Sequence, residues 1–143
     1  MAKVELKIPD EFLLKLSALG THTEEVCTKM LSAGGEVVLE QTKTSLEKVI
    51  GKSTKYPSRS DGELKDSLGL TPVKVDKSGN YNIKIGFREP RKNGESNAKI
   101  ANILEYGKHG QPAKPFLKSA KRAARKECIA VMEQTFEDEV NDL

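Results

Sequence analysis

The C-terminal stretch that begins at Pro115 places the strongest constraint on how this chain folds. Its apolar residues recur every three or four positions, which predicts one helix running nearly to Leu143. The first half carries an apolar stripe that starts at Phe116. The second half carries a further apolar set at Ile129, Met132, Phe136 and Val140. These stripes are offset by well over a quarter turn, so either the helix bends near Cys128 or the second stripe packs on another surface, such as a second subunit.

The charges on this predicted helix run against its dipole. Basic residues crowd its start and acidic residues crowd its end, whereas a helix dipole favours the opposite order. Two interpretations stay open: a solvated face that tolerates the cost, or a basic half that meets the acidic half of a neighbouring subunit, as in a head-to-tail ring. The candidate partner-binding residues are Ile129, Met132, Phe136, Val140, Lys118, Arg122 and Arg125.

Length and composition predict a single domain over residues 1–143. With 36% hydrophobic and 31% charged residues, the 143-residue chain can bury one modest core. The net charge of +3 is too small to indicate nucleic-acid binding by itself. Because the start, MAKVELKIPDEF, lacks the apolar core of a signal peptide and no long apolar run exists, we expect a cytoplasmic protein without a membrane span.

A second long helix is predicted from about Thr21 to Ile50, opened by the capping box Thr21-x-x-Glu24. The pair Gly34-Gly35 lies inside it, where each glycine costs about 1 kcal/mol relative to Ala. The helix either bends at this pair or packs closely against another backbone there. We favour close packing because the apolar spacing continues across the two glycines.

Shorter elements complete the predicted fold. Helices are expected over 9–19, from the capping box Ser60-x-x-Glu63 through Leu68, and over 98–106 with Gly107 as the cap. Alternating apolar residues predict a strand over 4–8 and a hairpin of 73–75 with 81–88. The predicted buried face of the second hairpin strand is Tyr81, Ile83, Ile85 and Phe87, and the predicted solvent-exposed face is Asn82, Lys84, Gly86 and Arg88. Residues 51–60 and 88–97 are predicted to be flexible loops.

The predicted fold class is therefore α+β. A small antiparallel sheet, made of the hairpin and the N-terminal strand, packs against two long helices, with short additional helices.

Two motifs flank the loop that precedes the last helix. They form a predicted structural corner made of Leu104, Glu105, Tyr106, Gly107, Pro115, Phe116 and Leu117. This corner would set the direction in which the last helix leaves the sheet region. We interpret Glu105 as an anchor for exposed backbone amides, rather than as half of an acid–base pair with Tyr106.

No catalytic, cofactor-binding or metal-binding residue is predicted. The chain has no phosphate loop and no zinc-protease motif, and His22 and His109 each lack a second ligand nearby. Cys27 and Cys128 are predicted to be buried free thiols, with a disulfide between the two long helices as the alternative.

Two rival hypotheses for function come from single features. One is a nucleic-acid-binding module that uses the basic start of the last helix. The other is a small enzyme with an atypical site around Glu105, Tyr106 and His109.

The order of motifs resembles a known family. From about Leu31, the chain reads LSAGGEVVLEQTK, then DGELKDSL, a hairpin, LEYG and PAKPFL. This order is similar to the tail-component, or tail-completion, family of long-tailed double-stranded DNA bacteriophages, whose members typically read T-G-x-L-x-x-S, L-E-[YF]-G-T and P-F-[LM]. Asp61 and Lys108 stand where that family usually has Thr.

The resemblance implies a structural role without enzymatic activity or cofactor. Such a protein would join or complete the tail at the head–tail junction, or neck, as a ring. Its partners would be the head connector and the tail terminator or tube, with no specific nucleic acid. It would be found in the virion, and in the host bacterial cytoplasm during assembly.

Overall fold

The computed structural model describes residues 3–7, 10, 20–50 and 62–141. The strands are β1 (Val4–Lys7), β2 (Leu68–Leu70), β3 (Lys74–Val75) and β4 (Tyr81–Phe87). The helices are α1 (Thr23–Val49), α2 (Glu63–Asp66), α3 (Asn97–Tyr106) and α4 (Phe116–Asn141). The predicted α+β class is confirmed, with two long helices packed together on an antiparallel sheet. Apart from residue 10, the predicted helix over 9–19 lies outside the described residues, as do Ile8 and the loop 51–60.

Strand β4 is the centre of the sheet. It pairs with β1 along one edge and with both β2 and β3 along the other, all antiparallel. Leu70 lies opposite Ile85 and Lys74 lies opposite Asn82, so the β2–β3 side has one extra residue and forms a bulge. At the bulge, the Thr71 hydroxyl accepts the Lys84 amide at 3.0 Å and keeps that N–H group satisfied.

The faces of β4 follow its predicted alternation, with one exception. Ile83 and Ile85 are buried on the face toward the core. The prediction that Asn82 is exposed to solvent is wrong, because only 5% of the residue is exposed. It lies opposite both Lys7 and Lys74, so strands flank it on either side.

Helix α2 is shorter than predicted. Its N-cap residue is Gly62, which makes no side-chain cap, and Ser60 of the predicted capping box lies outside the described residues. The helix ends at Asp66, where the Ser67 hydroxyl donates to the Leu64 carbonyl at 2.7 Å. Leu68 then pairs with β4 rather than continuing the helix, since the edge of that strand needs backbone partners.

Helix α1 begins slightly later than predicted, at Thr23. A 3-10 turn, Gly20–His22, precedes it, and His22 occupies the N-cap position with helical backbone angles and no side-chain cap. The helix therefore starts at Thr23 rather than at Thr21, whose side chain lies outside the described part of the chain. At this end of the helix, the Thr23 hydroxyl donates to the Gly20 carbonyl at 2.9 Å.

The two adjacent glycines of α1 face different layers. A Cβ atom on Gly34 would lie 2.7 Å from Cγ of Met132, on α4. A Cβ atom on Gly35 would lie 3.2 Å from the Leu70 methyl groups, on the sheet. The predicted close packing at the pair is confirmed, but the predicted backbone partner is wrong, because the atoms nearest to both glycines are side-chain atoms of α4 and of the sheet.

The buried ridge of α4 explains how the two long helices meet. Its small members Ala120, Ala124 and Cys128 recur every four residues and lead to Met132. Residues four apart form the ridges along which packed helices interdigitate. Phe136 continues the same spacing and is half-buried against the core. The second apolar stripe therefore packs in part against the chain's own helix α1.

Candidate functional site

The corner before α4 is built around the buried carboxylate of Glu105. Its Oε2 accepts the Leu117 amide at 2.8 Å, and its Oε1 accepts the Lys118 amide at 3.1 Å. These amides belong to the first turn of α4, where N–H groups have no partner within the helix. The geometry confirms Glu105 as a backbone anchor. Its charge also offsets part of the unfavourable basic start of α4.

Gly107 closes the corner through a backbone contact. Its φ angle is +77°, and a Cβ atom there would lie 2.8 Å from both the Ala113 nitrogen and the Gln111 oxygen. The Lys114 amide donates to the Leu104 carbonyl at 2.6 Å, which ties the end of α3 to the chain entering α4. No side chain fits at position 107 without moving this backbone.

The remaining corner residues divide into inward and outward sets. Phe116 is fully buried and meets Phe87 edge to face, with ring centroids 6.4 Å apart. Leu117 is also buried, whereas Pro115 is exposed. Tyr106 points outward and is 71% exposed. The corner is therefore a packed joint with one aromatic ring presented to solvent.

The rival enzyme site gains no support from this arrangement. The carboxylate of Glu105 is engaged by two backbone amides, while Tyr106 and His109 are exposed. Within the described ranges, no group of three or more His, Cys, Asp or Glu residues is placed to hold a metal ion.

The structure separates the candidate partner-binding residues by exposure. Met132 is buried in the core, and Phe136 and Val140 are half-buried. Ile129 is 41% exposed, and Lys118, Arg122 and Arg125 are exposed. The accessible part of the set is therefore an isoleucine next to a basic face.

Charge is segregated along the surface of α4. The exposed cations of its first half have no ion pair among the described residues, and they are Lys118, Lys121, Arg122, Arg125 and Lys126. In the second half, Glu139 pairs with Lys29 of α1 at 2.9 Å. Glu133 and Glu137 are exposed, and neither has an ion pair within the described ranges.

An apolar groove of about 320 Å³ runs between β1 and the middle of α4. All four residues of β1 line it, so it follows the strand along its length rather than one face of the sheet. Across from the strand, Cys128, Ile129 and Met132 form the helix wall. Lys121 and Arg125 stand at one end. The groove therefore combines an apolar lining with the two charged side chains of the strand and with two cations toward the start of α4.

Sequence reasoning missed a polar cluster that holds the segment before α3. Both carboxylate oxygens of Glu89 accept hydrogen bonds from the start of α3: the Ala98 amide at 2.6 Å, the Asn97 amide at 3.0 Å and the Ser96 hydroxyl at 3.1 Å. The Ala98 amide is the main reason that the pKa of Glu89 lies below its usual value. Arg91 donates to Asn97, which is buried. No local motif signals this cap, because Glu89 lies eight residues before Asn97.

Both cysteines are buried free thiols, as predicted. Burial raises the pKa of Cys27 to about 11 and also raises the pKa of Cys128. Both thiols are therefore protonated at neutral pH, and neither has the lowered pKa of a reactive cysteine.

The fold and its surfaces define a small α+β structural domain, and comparison with known families agrees. Residues 10–107 match the family described as "Bacteriophage HK97-gp10, putative tail-component". The chain belongs to this family of bacteriophage tail components. The match ends at Gly107, so the Pro-Phe-Leu motif and α4 lie beyond it. No curated protein and no solved structure matches the chain significantly.

Proposed function

We propose that this tail component joins or completes the tail at the head–tail junction, as a ring held by protein–protein contacts. Its partners are the head connector and the tail terminator or tube, and its location is the neck of the virion. The protein reaches this location from the host bacterial cytoplasm during assembly. The role requires neither catalysis nor a cofactor.

The observation that carries the proposal is the segregated charge on α4. The basic half and the acidic half of one continuous helix cannot neutralise each other within a chain, because the helix holds them apart. A neighbouring copy that is shifted along the ring brings the basic half of one chain to the acidic half of the next. Heterologous contacts of this kind close into rings when the rotation between copies permits it.

The test combines mass measurement with particle assembly. The purified protein, carrying a label visible in the electron microscope, is mixed with purified tails and with connectors. Light scattering counts the bound copies, and electron microscopy locates the label on the particle. We expect several copies at the head-proximal end of the tail. Binding along the tube or at the distal tip would contradict the junction role, and a persistent monomer that attaches to neither particle would contradict the proposal as a whole.

A nucleic-acid-binding module is the second candidate. The basic first half of α4 supports it, because five exposed cations there have no ion pair among the described residues. Binding through such a face weakens steeply with salt, since each neutralised phosphate releases counterions. Retention of DNA or RNA at low salt, lost in a variant with those cations replaced, would favour this candidate over the junction role.

A further inference from the structure

We infer that the groove between β1 and α4 binds the acidic end of α4 from a second copy of this chain. The inference rests on the proposed ring and names the contact that builds it. The groove spans the middle of α4, and at its basic end the charges of Lys121 and Arg125 meet no ion-pair partner among the described residues. Its helix wall includes Ile129, which is 41% exposed.

The occupant must be apolar on one side and acidic beside it. Val4, Leu6 and Cys128 give the groove an apolar lining, and the basic end provides two positive charges. An amphipathic helix binds such a groove through the apolar side chains of one face, and complementary charge at the rim sets its orientation.

The second half of α4 has this chemistry. Glu133, Glu137 and Val140 are spaced four and three residues apart, so they share one face of the helix. The two glutamates are exposed and Val140 is half-buried. This face presents one aliphatic side chain and two negative charges to a neighbour.

A chain cannot fill its own groove with this face. Both surfaces lie on one continuous helix, and Arg125 and Glu137 are held about 18 Å apart by its rise of 1.5 Å per residue. The groove residues Lys121, Arg125 and Ile129 and the two glutamates of the occupant lie toward opposite ends of one ridge of residues four apart, so each chain offers one of each. Copies that are shifted along the proposed ring use both ends, which makes the contact head to tail.

Charge reversal tests the pairing. In Lys121→Glu/Arg125→Glu the groove becomes acidic, and in Glu133→Lys/Glu137→Lys the occupant becomes basic. We expect each variant alone to self-associate more than about tenfold more weakly than the wild type, because like charges then meet. Mixing the two variants restores opposite charges at every contact, so association should recover. Sedimentation and light scattering measure it, in solution and on purified tails.

Lys118→Glu/Arg122→Glu is the matched control. It makes the same change of charge on the same half of α4, but these residues flank Pro115 and Ser119 instead of lining the groove. We expect a much smaller loss of association than for the groove variant. Circular dichroism confirms that all the variants keep the helical fold.

Several results would overturn the inference. They are unchanged association in the groove variant, failure of the mixed variants to associate, and wild-type protein that stays monomeric both in solution and on tails. A mixed complex that stops at two copies would overturn the head-to-tail arrangement. Loss of tail attachment with intact self-association would assign the groove to another tail protein.

The outcome is separable from that of the junction role. Wild-type protein that associates through the groove but never attaches to tails would disprove the junction role and leave the groove contact standing. If the protein attaches to tails but the charge-reversal variants self-associate as the wild type does, the groove contact is disproved and the junction role stands.

Discussion

Gly34 of α1 and Met132 of α4 approach so closely that a Cβ atom on the glycine would lie 2.7 Å from Cγ of the methionine. The Cys128 sulfur would lie 3.1 Å from that Cβ atom. The missing side chain at position 34 thus sets the distance between the two long helices. Since the groove and the charged face both belong to α4, this contact also positions the surfaces proposed to bind a neighbour.

The first prediction concerns this contact. Gly34→Ala should lower the free energy of unfolding by about 1–3 kcal/mol, because overpacking outweighs the gain in helix propensity. Gly35→Ala is the matched control, since its Cβ atom would meet the flexible Leu70 methyl groups at 3.2 Å and Cδ1 of Ile83 at 3.4 Å, which are longer distances than at Gly34. The gain in helix propensity of about 1 kcal/mol should largely offset the cost of moving the contacted side chains. Urea unfolding followed by circular dichroism compares them.

A double variant identifies the cause. Shortening Met132 to Ala removes the two atoms nearest to a Cβ at position 34 and leaves the Cys128 sulfur at 3.1 Å. The combined variant should therefore be more stable than the sum of the two single changes predicts. Strict additivity would show that the clash is not the reason for the loss.

The second prediction concerns Gly107. Gly107→Ala places a side chain at a φ of +77° and against the Ala113 nitrogen. Gly110→Ala meets a similar φ of +79° with no neighbouring atom within 4 Å. The change at Gly110 should cost only about 1–2 kcal/mol for the left-handed conformation.

The change at Gly107 should cost roughly 1–3 kcal/mol more than that, from overpacking. Thermal unfolding of both variants measures the difference. Equal losses would contradict the close approach of the backbone at this corner.

The third prediction concerns the Glu105 cap. Glu105→Ala leaves the buried Leu117 amide without its acceptor and should destabilise the protein by about 1–3 kcal/mol. Glu105→Gln keeps one acceptor oxygen and should therefore lose less stability. Tyr106→Ala, at an exposed neighbour, should stay within about 0.5 kcal/mol of the wild type. Amide hydrogen exchange in the first turn of α4 should accelerate most in Glu105→Ala, less in Glu105→Gln and not in Tyr106→Ala.

The fourth prediction is a pH dependence that comes from Glu89. Its folded-state pKa is lowered, chiefly by the Ala98 amide, so its carboxylate stabilises the folded protein above the unfolded value of 4.5. That contribution is lost as the pH falls through the lowered pKa. Glu89→Gln should therefore be less stable than the wild type at neutral pH, and the difference should shrink below pH 4.5.

Thermal unfolding of both proteins between pH 3 and pH 7 checks this dependence. Glu95→Gln serves as the control, because this exposed neighbour is not among the groups that lower the pKa of Glu89. A difference between Glu89→Gln and the wild type that stays constant with pH would rule out the carboxylate as the cap.

Local interactions explain what could be predicted from sequence. The 3.6-residue period of α1 and α4 and the alternation of β4 predicted these elements, because each pattern records which side faces the core. Gly107 signalled the end of α3, and the free thiols followed from cysteine spacing. Glu105 was recognised as an anchor because α4 begins a short loop later with amides that need acceptors.

The sequence by itself therefore determined the α+β class, the two long helices and the corner motif. Only the tertiary structure decided that Leu68 joins the sheet, that Glu89 caps α3, and that Gly34 faces α4 while Gly35 faces the sheet. These outcomes depend on backbone edges and atomic distances between residues far apart in the chain. Periodicity records that a residue is buried, but not which partner buries it, and the groove between β1 and α4 exists only once those partners have met.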